Sequence, residues 1–443
     1  MPEGSARALV AAISADFEPF EAPRPGAEPD GPLRWSGYDD QRERARERSG
    51  ADESVLCGIG HVGAERAVLV AFEFGFMGGS LGRDSGARVV DAFERARHLR
   101  VPVVSLVASG GSRLQEGMIA LTQLQAIARA CLLARQERIP HVAVARHPTT
   151  GGMWASLVAG ADVVLGVAGA DVAFGGSRVR GSGDTGEPFT AEGKATAGQV
   201  DRLVEEAELP EVLGLLVRLL HPGRREAPPR EAEVPEPLGH RDLPANGWQA
   251  VQRARSPRRP RARDYLDAHF DVRFELSGDR AGGVDPGMVC GLGEREGRAT
   301  AFAAQTGVAN TPAGFRTAAR VLRLADQLAL PALTVVDTPG ADNGAESEQA
   351  GLGPALADLF GVVAGMRVPV TTLVIGEGGS GGALALAAPE RTWITPDAYF
   401  AVIAPESAAS ILRRAPDEVP DLAGAMRLCP QELQELGLLR GPP

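Results

Sequence analysis

The chain has 443 residues, enough for two or three ordinary domains, and a hydrophobic fraction of 44% supports a real core. Its formal net charge of −11 argues against non-specific nucleic-acid binding, and its only lysine, Lys194, leaves phosphate contacts to arginine or to backbone N–H groups. Four scattered cysteines, Cys57, Cys131, Cys290 and Cys429, form no CxxC pair; they exclude a zinc ribbon and read as buried thiols in a reducing compartment.

Residues 1–29 join an apolar, helix-like piece to a Pro-rich lead-in, "FEPFEAPRPGAEPDGP". The N-terminus is acidic and lacks the basic segment of a signal peptide, and every long apolar run is interrupted. A cytoplasmic protein without a membrane span is expected. From about Val55 strands and helices alternate. "AVLVAFEFGF" reads as a strand, "GARVVDAFERARHL" as a helix, "VPVVSLVA" as a strand, "EGMIALTQLQAIARACLLARQER" as a long helix and "HVAVAR" as a strand. "GGMWASLVAGADVVLGVAGADVAFG" reads as a short helix followed by strand material. Residues 222–245, rich in proline and mixed charge with no apolar period, read as a linker. Beyond it come a strand at "ATAFAAQTGV", a helix at "PAGFRTAARVLRLADQLAL" and a strand at "PALTVVD". A helix at "ALADLFGVVAGMRV", a strand at "PVTTLVIG" and a short helix at "GSGGALALAA" follow. Strand material at "RTWITPDAYFAVIAP" and a helix at "ESAASILRR" complete the pattern.

The two halves repeat each other. "HVAVARHPTTGGMWASLVAGADVVLGVAGADVAFGG" parallels "VTTLVIGEGGSGGALALAAPERTWITPDAYFAVIAP". The alternation implies a largely parallel sheet in each half, with helical crossovers. The expected division is a lead-in at 1–29, a first domain at 30–221, the linker, and a second domain at 246–443.

Two glycine-rich turns, "VVSLVASGGSRLQEG" and "TLVIGEGGSGGALALA", almost lack reactive side chains. Neither fits a P-loop, because Lys194 in "AEGKAT" has no upstream glycine and no following Ser or Thr. "DTPG" at Asp337–Gly340 looks like a nucleotide-switch fragment but has no P-loop to serve. "GGSGG" around Ser380 matches the nucleophile elbow GxSxG, yet the last histidine is His269 and no later one can complete a triad. Two readings of the glycines stand side by side: close packing of strand on helix, and backbone N–H groups preorganised for developing negative charge. Two such clusters suggest two oxyanions in one reaction.

These residues carry a family resemblance. "DGPLRW", "FEFGFMGGSLG", "ASGGSRLQEGMIALTQ", "PTTGGMWAS" and "AEGKATAGQVDRLV" resemble the β-type carboxyltransferase subunit of bacterial acetyl-CoA carboxylase. "WQAVQRARSPRRPRARDYLDAHFDVRFELSGDRA", "AGFRTAARVLRLADQLALPALTVVDTPGAD", "VPVTTLVIGEGGSGGALALA" and "APESAASIL" resemble its α-type subunit. Each motif is weak alone, and their joint order over residues 30–440 is specific. The resemblance implies an α/β chain of two crotonase-like (ClpP/crotonase spiral) ββα-repeat domains in tandem. It implies an acyl-CoA carboxylase carboxyltransferase that moves a carboxyl group from carboxybiotin to the α-carbon of a short acyl-CoA, acetyl- or propionyl-CoA. Biotin itself then serves as the base.

By matching motifs, Gly110 and Gly111 would hold the thioester enolate oxygen, and Gly381, Gly382 and Ala383 the biotin oxygen. Ser80, Arg113, Gly151 and Gly152 would contact the acyl-CoA or shape its pocket, with an ion pair between Arg113 and Glu116 as the alternative for that arginine. His147 reads as a satisfied loop histidine. No "MKM" attachment motif is present, so biotin would ride on a separate biotin carboxyl carrier protein loaded by a biotin carboxylase. A homo-oligomer built from dimers, up to a hexamer, is implied, with no metal, nucleic acid or membrane. The zinc ribbon of β-type subunits is lacking, and "AAQTGVANTPAGFR" is shorter and less basic than the α-type counterpart. Two other readings stay open: a biotin-independent acyl-thioester decarboxylase, and a non-catalytic partner subunit of a carboxylase complex.

Overall fold

β-Branched runs and amphipathic stretches fold into two units, Met1–Arg224 and Arg225–Pro443, each around its own sheet. The computed structural model describes residues 5–21, 28–181, 183–225 and 228–443; residues 22–27 of the Pro-rich lead-in and 226–227 of the expected linker lie outside the described residues.

In the first unit α1 (Ala6–Ile13) starts at Ser5, whose hydroxyl accepts from the Ala8 amide. Its buried residues, Ala6, Leu9, Val10 and Ile13, follow the one-face helical period. After β1 (Glu18–Pro19) and α2 (Tyr38–Ser49), β2 (Val55–Val62) and β3 (Glu65–Phe72) form an antiparallel hairpin. There follow α3 (Arg83–Leu99), β4 (Val103–Ser109), α4 (Gly117–Gln136), β5 (His141–Thr150), β6 (Val163–Val167), β7 (Val172–Ala173), α5 (Ala191–Thr196), β8 (Arg202–Val204) and α6 (Leu209–Leu220). The sheet order is β1-β2-β3-β4-β5-β6-β8, with β7 paired to the end of β5. From β3 onward the pairing is parallel, and β4 is buried along its whole length, as a central parallel strand covered on both faces must be.

The second unit contains α7 (Gly247–Arg255), α8 (Ala262–His269), β9 (Val272–Glu275), β10 (Met288–Arg295), β11 (Arg298–Gln305), α9 (Pro312–Leu328) and β12 (Ala332–Thr338). It continues with α10 (Ala345–Gln349), α11 (Leu352–Gly365), β13 (Val370–Gly379), α12 (Ser380–Leu384), β14 (Thr392–Ile394), β15 (Tyr399–Ala401), α13 (Pro405–Leu412), α14 (Val419–Ala425) and α15 (Pro430–Glu435). The order is β14-β13-β12-β11-β10-β9, with β15 on the end of β13. It matches the first unit strand for strand around the centre: an antiparallel hairpin, two further parallel strands, and a short strand on the end of the second of them.

The sheets are largely parallel, as expected; among the described strands only the β2–β3 and β10–β11 hairpins and the edge strands β1 and β9 pair antiparallel. Leu114–Gln136, a 3-10 turn at Leu114–Glu116 followed by α4, is 23 residues long and contains an 18-residue window of mean hydropathy 1.4, enough to cross a membrane by length and composition alone. It packs on α3 and buries Ala120, Ile127, Ala130 and Ala134. Residues 228–245, which read as a linker, pack on the second unit: Ala232 is buried in its core, and the His240 amide donates to Asp397 at 2.8 Å.

Candidate active site

In each unit the chain turns at the C-terminal end of two neighbouring parallel strands, and these paired turns carry the glycines. In the first unit β4 runs beside β5, with Ser109 opposite Thr149; in the second, β12 runs beside β13, with Thr338 opposite Gly378. Counting on from these pairs, Gly111 corresponds to Gly340, Gly151 to Ser380 and Gly152 to Gly381. The correspondence extends to hydrogen bonds. The Gly111 N–H donates to Ser109 Oγ at 3.2 Å, and the Gly340 N–H to Thr338 Oγ1 at 3.2 Å. Leu81 N–H donates to the Gly111 carbonyl at 2.9 Å and Asn310 N–H to the Gly340 carbonyl at 3.2 Å. Arg113 N–H returns to Leu81 and Asp342 N–H to Asn310, each at 2.8 Å.

The two glycine clusters noticed in the sequence are therefore not equivalent turns. "ASGG" follows the first strand of its pair and "GEGGSGG" the second. The partner that sequence reasoning missed in the second unit is Gly340, in the "DTPG" segment set aside as a switch fragment. Gly111 and Gly340 have φ of +108° and +143°, backbone that side chains rarely adopt. Ser380 sits at φ +55°, the turn position that Gly151 takes at +66°. A non-glycine residue held there marks a site where the surroundings over-determine a strained backbone.

The candidate residues divide by what their backbone already does. The Gly110 amide donates to the Gly78 carbonyl at 2.9 Å, so it is spent inside the protein. A Cβ on Gly152 would stand 2.3 Å from the Leu124 side chain of α4, and one on Gly382 2.5 Å from the Ala341 nitrogen; both are packing glycines. A Cβ on Gly381 would meet nothing within 4 Å. Gly381 and Gly382 fall among the first amides of α12, which lack a partner within the helix, whereas the Ala383 N–H closes its first turn onto Gly379. Gly382 is tied further by its carbonyl, which accepts from buried Gln305 Nε2 at 2.9 Å.

Ser80, Arg113, Gly110, Gly111, Gly151 and Gly152 gather at the strand ends of the first unit. Arg113, however, is 1% exposed and its guanidinium is occupied by protein partners. Nη2 pairs with Glu53 and donates to the Ser80 carbonyl at 2.8 Å; Nη1 donates to Tyr38 Oη at 3.1 Å and Glu116 Oε1 at 3.3 Å. Burial alone would raise the Glu53 pKa, but the Arg113 charge and hydrogen bonds hold that carboxyl below its usual range. Burial raises the Tyr38 hydroxyl well above its ordinary value, so it remains a neutral donor to Glu116 Oε1, 2.5 Å away. His147, expected as a loop histidine, lies within β5, and it is satisfied there, its Nδ1 accepting from the Asp171 amide at 3.2 Å. In the second unit a comparable buried pair, Arg259 with Asp337 at 2.5 Å, lies under the strand ends, and Asp337 also accepts from the Glu377 amide at 3.2 Å. Among the described residues no group of three His, Cys, Asp or Glu is placed to hold a metal ion.

The chain matches two family models: a carboxyl transferase domain over residues 34–202, and an acetyl co-enzyme A carboxylase carboxyltransferase-like domain over 244–441. It is 36% identical to the acetyl-coenzyme A carboxylase carboxyl transferase subunits beta/alpha of Salinispora arenicola, over 99% of this chain and 81% of that one. It is 32% identical to a probable biotin-dependent acyl-coenzyme A carboxylase beta3 subunit of Mycobacterium tuberculosis, over 96% and 85%. Its fold is similar to the transcarboxylase 12S hexamer, solved with methylmalonyl-coenzyme A and methylmalonic acid bound (TM-score 0.79, 21% identity, 99% of this chain and 86% of that one). It is also similar to a single-chain, multi-domain long-chain acyl-CoA carboxylase (TM-score 0.74, 19% identity, 99% and 45%). The chain belongs to the carboxyltransferase family of biotin-dependent acyl-CoA carboxylases, with the β-type and α-type halves in one polypeptide.

Proposed function

We propose that the chain carboxylates the α-carbon of a short acyl-CoA, acetyl- or propionyl-CoA, through a thioester enolate, using biotin borne on a separate carrier protein that a biotin carboxylase loads. The observation that carries this reading is the pair of matched turns, each with a positive-φ glycine whose N–H donates to a buried hydroxyl at 3.2 Å. Such turns supply fixed backbone dipoles without an ionisable side chain, which suits a reaction whose transition state develops charge on a carbonyl oxygen. Gly111, whose N–H donates to Ser109 Oγ at 3.2 Å, is the proposed donor on the first unit's turn in preference to Gly110, which the Gly78 carbonyl holds at 2.9 Å, and Gly151 and Gly152 form the facing wall. In the second unit the first-turn amides of α12, at Gly381 and Gly382, serve with Gly340, while Ala383 supports the helix.

The space over Gly381 is open, with nothing within 4 Å of where a Cβ would stand, and it is the proposed seat of the biotin ureido oxygen. When bound, biotin supplies the carboxyl group and the base for the α-proton. Ser80 shapes the acyl-CoA pocket, and arginine and backbone amides hold the CoA phosphates. Leu114, Met118 and Leu121, exposed and spaced along one stripe of the long helix, support assembly into a dimer-based oligomer. Four free cysteines suit the cytoplasm.

The reverse direction tests the reading. Malonyl-CoA or methylmalonyl-CoA should lose its carboxyl group only when biotin or a biotinylated carrier is added. Release of CO2 at the same rate without biotin would point instead to a biotin-independent decarboxylase, and no release under either condition to a non-catalytic subunit.

A further inference from the structure

We propose that the Arg113–Glu53 ion pair is a positioning device that sets the direction of the Gly111 amide and takes no part in holding the acyl-CoA. This rests on the reading of Gly111 as an oxyanion donor.

The argument starts from cost. Taking a guanidinium and a carboxylate out of water is expensive, and an apolar pair of the same volume often gives equal or greater stability. Arg113 and Glu53 are each 1% exposed in their side chains, and a second carboxylate, Glu116, is 5% exposed beside them. Stability alone does not account for so much buried charge.

The geometry shows what the charge fixes. The segment 78–81 runs beside the segment 110–113 as a short ladder: Gly110 N–H to Gly78 O at 2.9 Å, Leu81 N–H to Gly111 O at 2.9 Å, and Arg113 N–H to Leu81 O at 2.8 Å. The peptides on either side of Gly110–Gly111 are thus held to the 78–81 backbone, and the Gly111 N–H between them donates to Ser109 Oγ at 3.2 Å. That backbone is in turn staked by Arg113, whose Nη2 donates to the Ser80 carbonyl at 2.8 Å and whose Nε lies 3.3 Å from Ser80 Oγ. Glu53 holds the fork from behind through both oxygens, and Ser54 Oγ donates to the same Ser80 carbonyl at 2.8 Å. Tyr38 and Glu116 close the cage, with the Arg83 amide donating to Glu116 Oε2 at 2.5 Å. A guanidinium satisfies this arrangement because its donors are fixed in one plane; an ammonium cannot reach Glu53 bidentately and Ser80 together.

The experiment is steady-state carboxyl transfer, together with exchange of the acyl-CoA α-proton, for Arg113→Lys, Glu53→Gln and Gly111→Ala in the full chain. Arg113→Lys keeps the charge and loses the fork. It should lower kcat and α-proton exchange by about tenfold or more, with KM for acyl-CoA within about threefold of wild type. Glu53→Gln should give the same split and covers the case in which Arg113→Lys does not fold. A large rise in KM with kcat intact would make Arg113 a substrate contact. Loss of melting temperature with unchanged kcat would make the pair structural only. Either result overturns the proposal. Gly111→Ala separates it from the reading beneath: if that variant keeps full exchange, the oxyanion assignment fails; if it loses exchange while Arg113→Lys and Glu53→Gln do not, only the positioning role fails.

Discussion

Gly382 lies so close to Ala341 that a Cβ would stand 2.5 Å from the Ala341 nitrogen, whereas its neighbour Gly381 has nothing within 4 Å of that point. The two glycines should therefore respond to substitution in opposite ways. Gly382→Ala forces the backbone of the facing turn apart and should cost about 3 kcal/mol or more, within or beyond the usual range for overpacking. Gly381→Ala should melt within about 1 kcal/mol of wild type, since alanine favours a helix over glycine. Gly381→Val should stay folded and lower carboxyl transfer at least about a hundredfold, the scale of one lost oxyanion donor. Thermal melts and transfer rates on the three variants check this. A folded Gly381→Val enzyme with normal turnover removes Gly381 from the site.

Ser380 holds φ at +55°, where a side chain carries strain of about 1 kcal/mol or more. Ser380→Gly should raise the melting temperature and keep most of the activity, because Ser380 needs no nucleophilic role and no histidine follows His269. A stable covalent adduct at Ser380 with an activated phosphonate, or loss of turnover in the glycine variant, contradicts this.

Much of the fold was legible in the sequence because parallel strands flanked by amphipathic helices leave a clear period change. The β4 run "VVSLVAS" and the α9 run "PAGFRTAARVLRLADQL" fall where their patterns suggest. The first strand of each hairpin escaped notice: "VLCGIGHV" and "MVCGLGER" carry glycines that weaken the strand signal. In the structure Gly58 and Gly291 admit the carbonyls of Glu18 and Phe274 on the edge strands, 2.3 and 2.2 Å from where a Cβ would stand. The family and the glycine turns were also readable. The match of Gly111 with Gly340 was not, because it depends on strand pairing between residues far apart in sequence. For the same reason Arg113 could be paired with Glu116, three residues away, but its stronger partner Glu53, sixty residues away, gave no local signal.

His141 gives a pH prediction. Its ring packs edge-on against Phe93 with centroids 5.0 Å apart, and Nε2 lies 2.9 Å from Ser105 Oγ. Burial, aided by the Arg135 charge, pushes its pKa from 6.5 down to about 3. The unfolded chain therefore binds a proton that the folded chain refuses. Stability from the neutral ring is present above pH 6.5 and is lost as pH falls from 6.5 toward 3. The loss approaches about 1.4 kcal/mol per pH unit in that window. Unfolding measured against pH for wild type and His141→Gln should show the wild type falling more steeply; parallel curves contradict it.

Lys194 rests with Nζ 5.9 Å from the Trp154 ring centroid, and burial lowers its pKa. It is engaged with the protein. Lys194→Ala should change acyl-CoA affinity by less than about 1 kcal/mol, in the range of an ordinary substitution away from special features. A hundredfold weaker affinity would show that this lysine carries the CoA phosphates.

Transfer of labelled bicarbonate to acyl-CoA is the most direct measurement, with the purified chain, a biotinylated carrier, biotin carboxylase and ATP, over acetyl-, propionyl- and butyryl-CoA. Label should appear in the carboxylated acyl-CoA with acetyl- or propionyl-CoA, vanish when the carrier is left out, and fall at least about a hundredfold in Gly381→Val. Label transfer without the carrier, or none with any of the three substrates while the chain remains folded, would contradict the carboxyltransferase mechanism drawn from the paired turns.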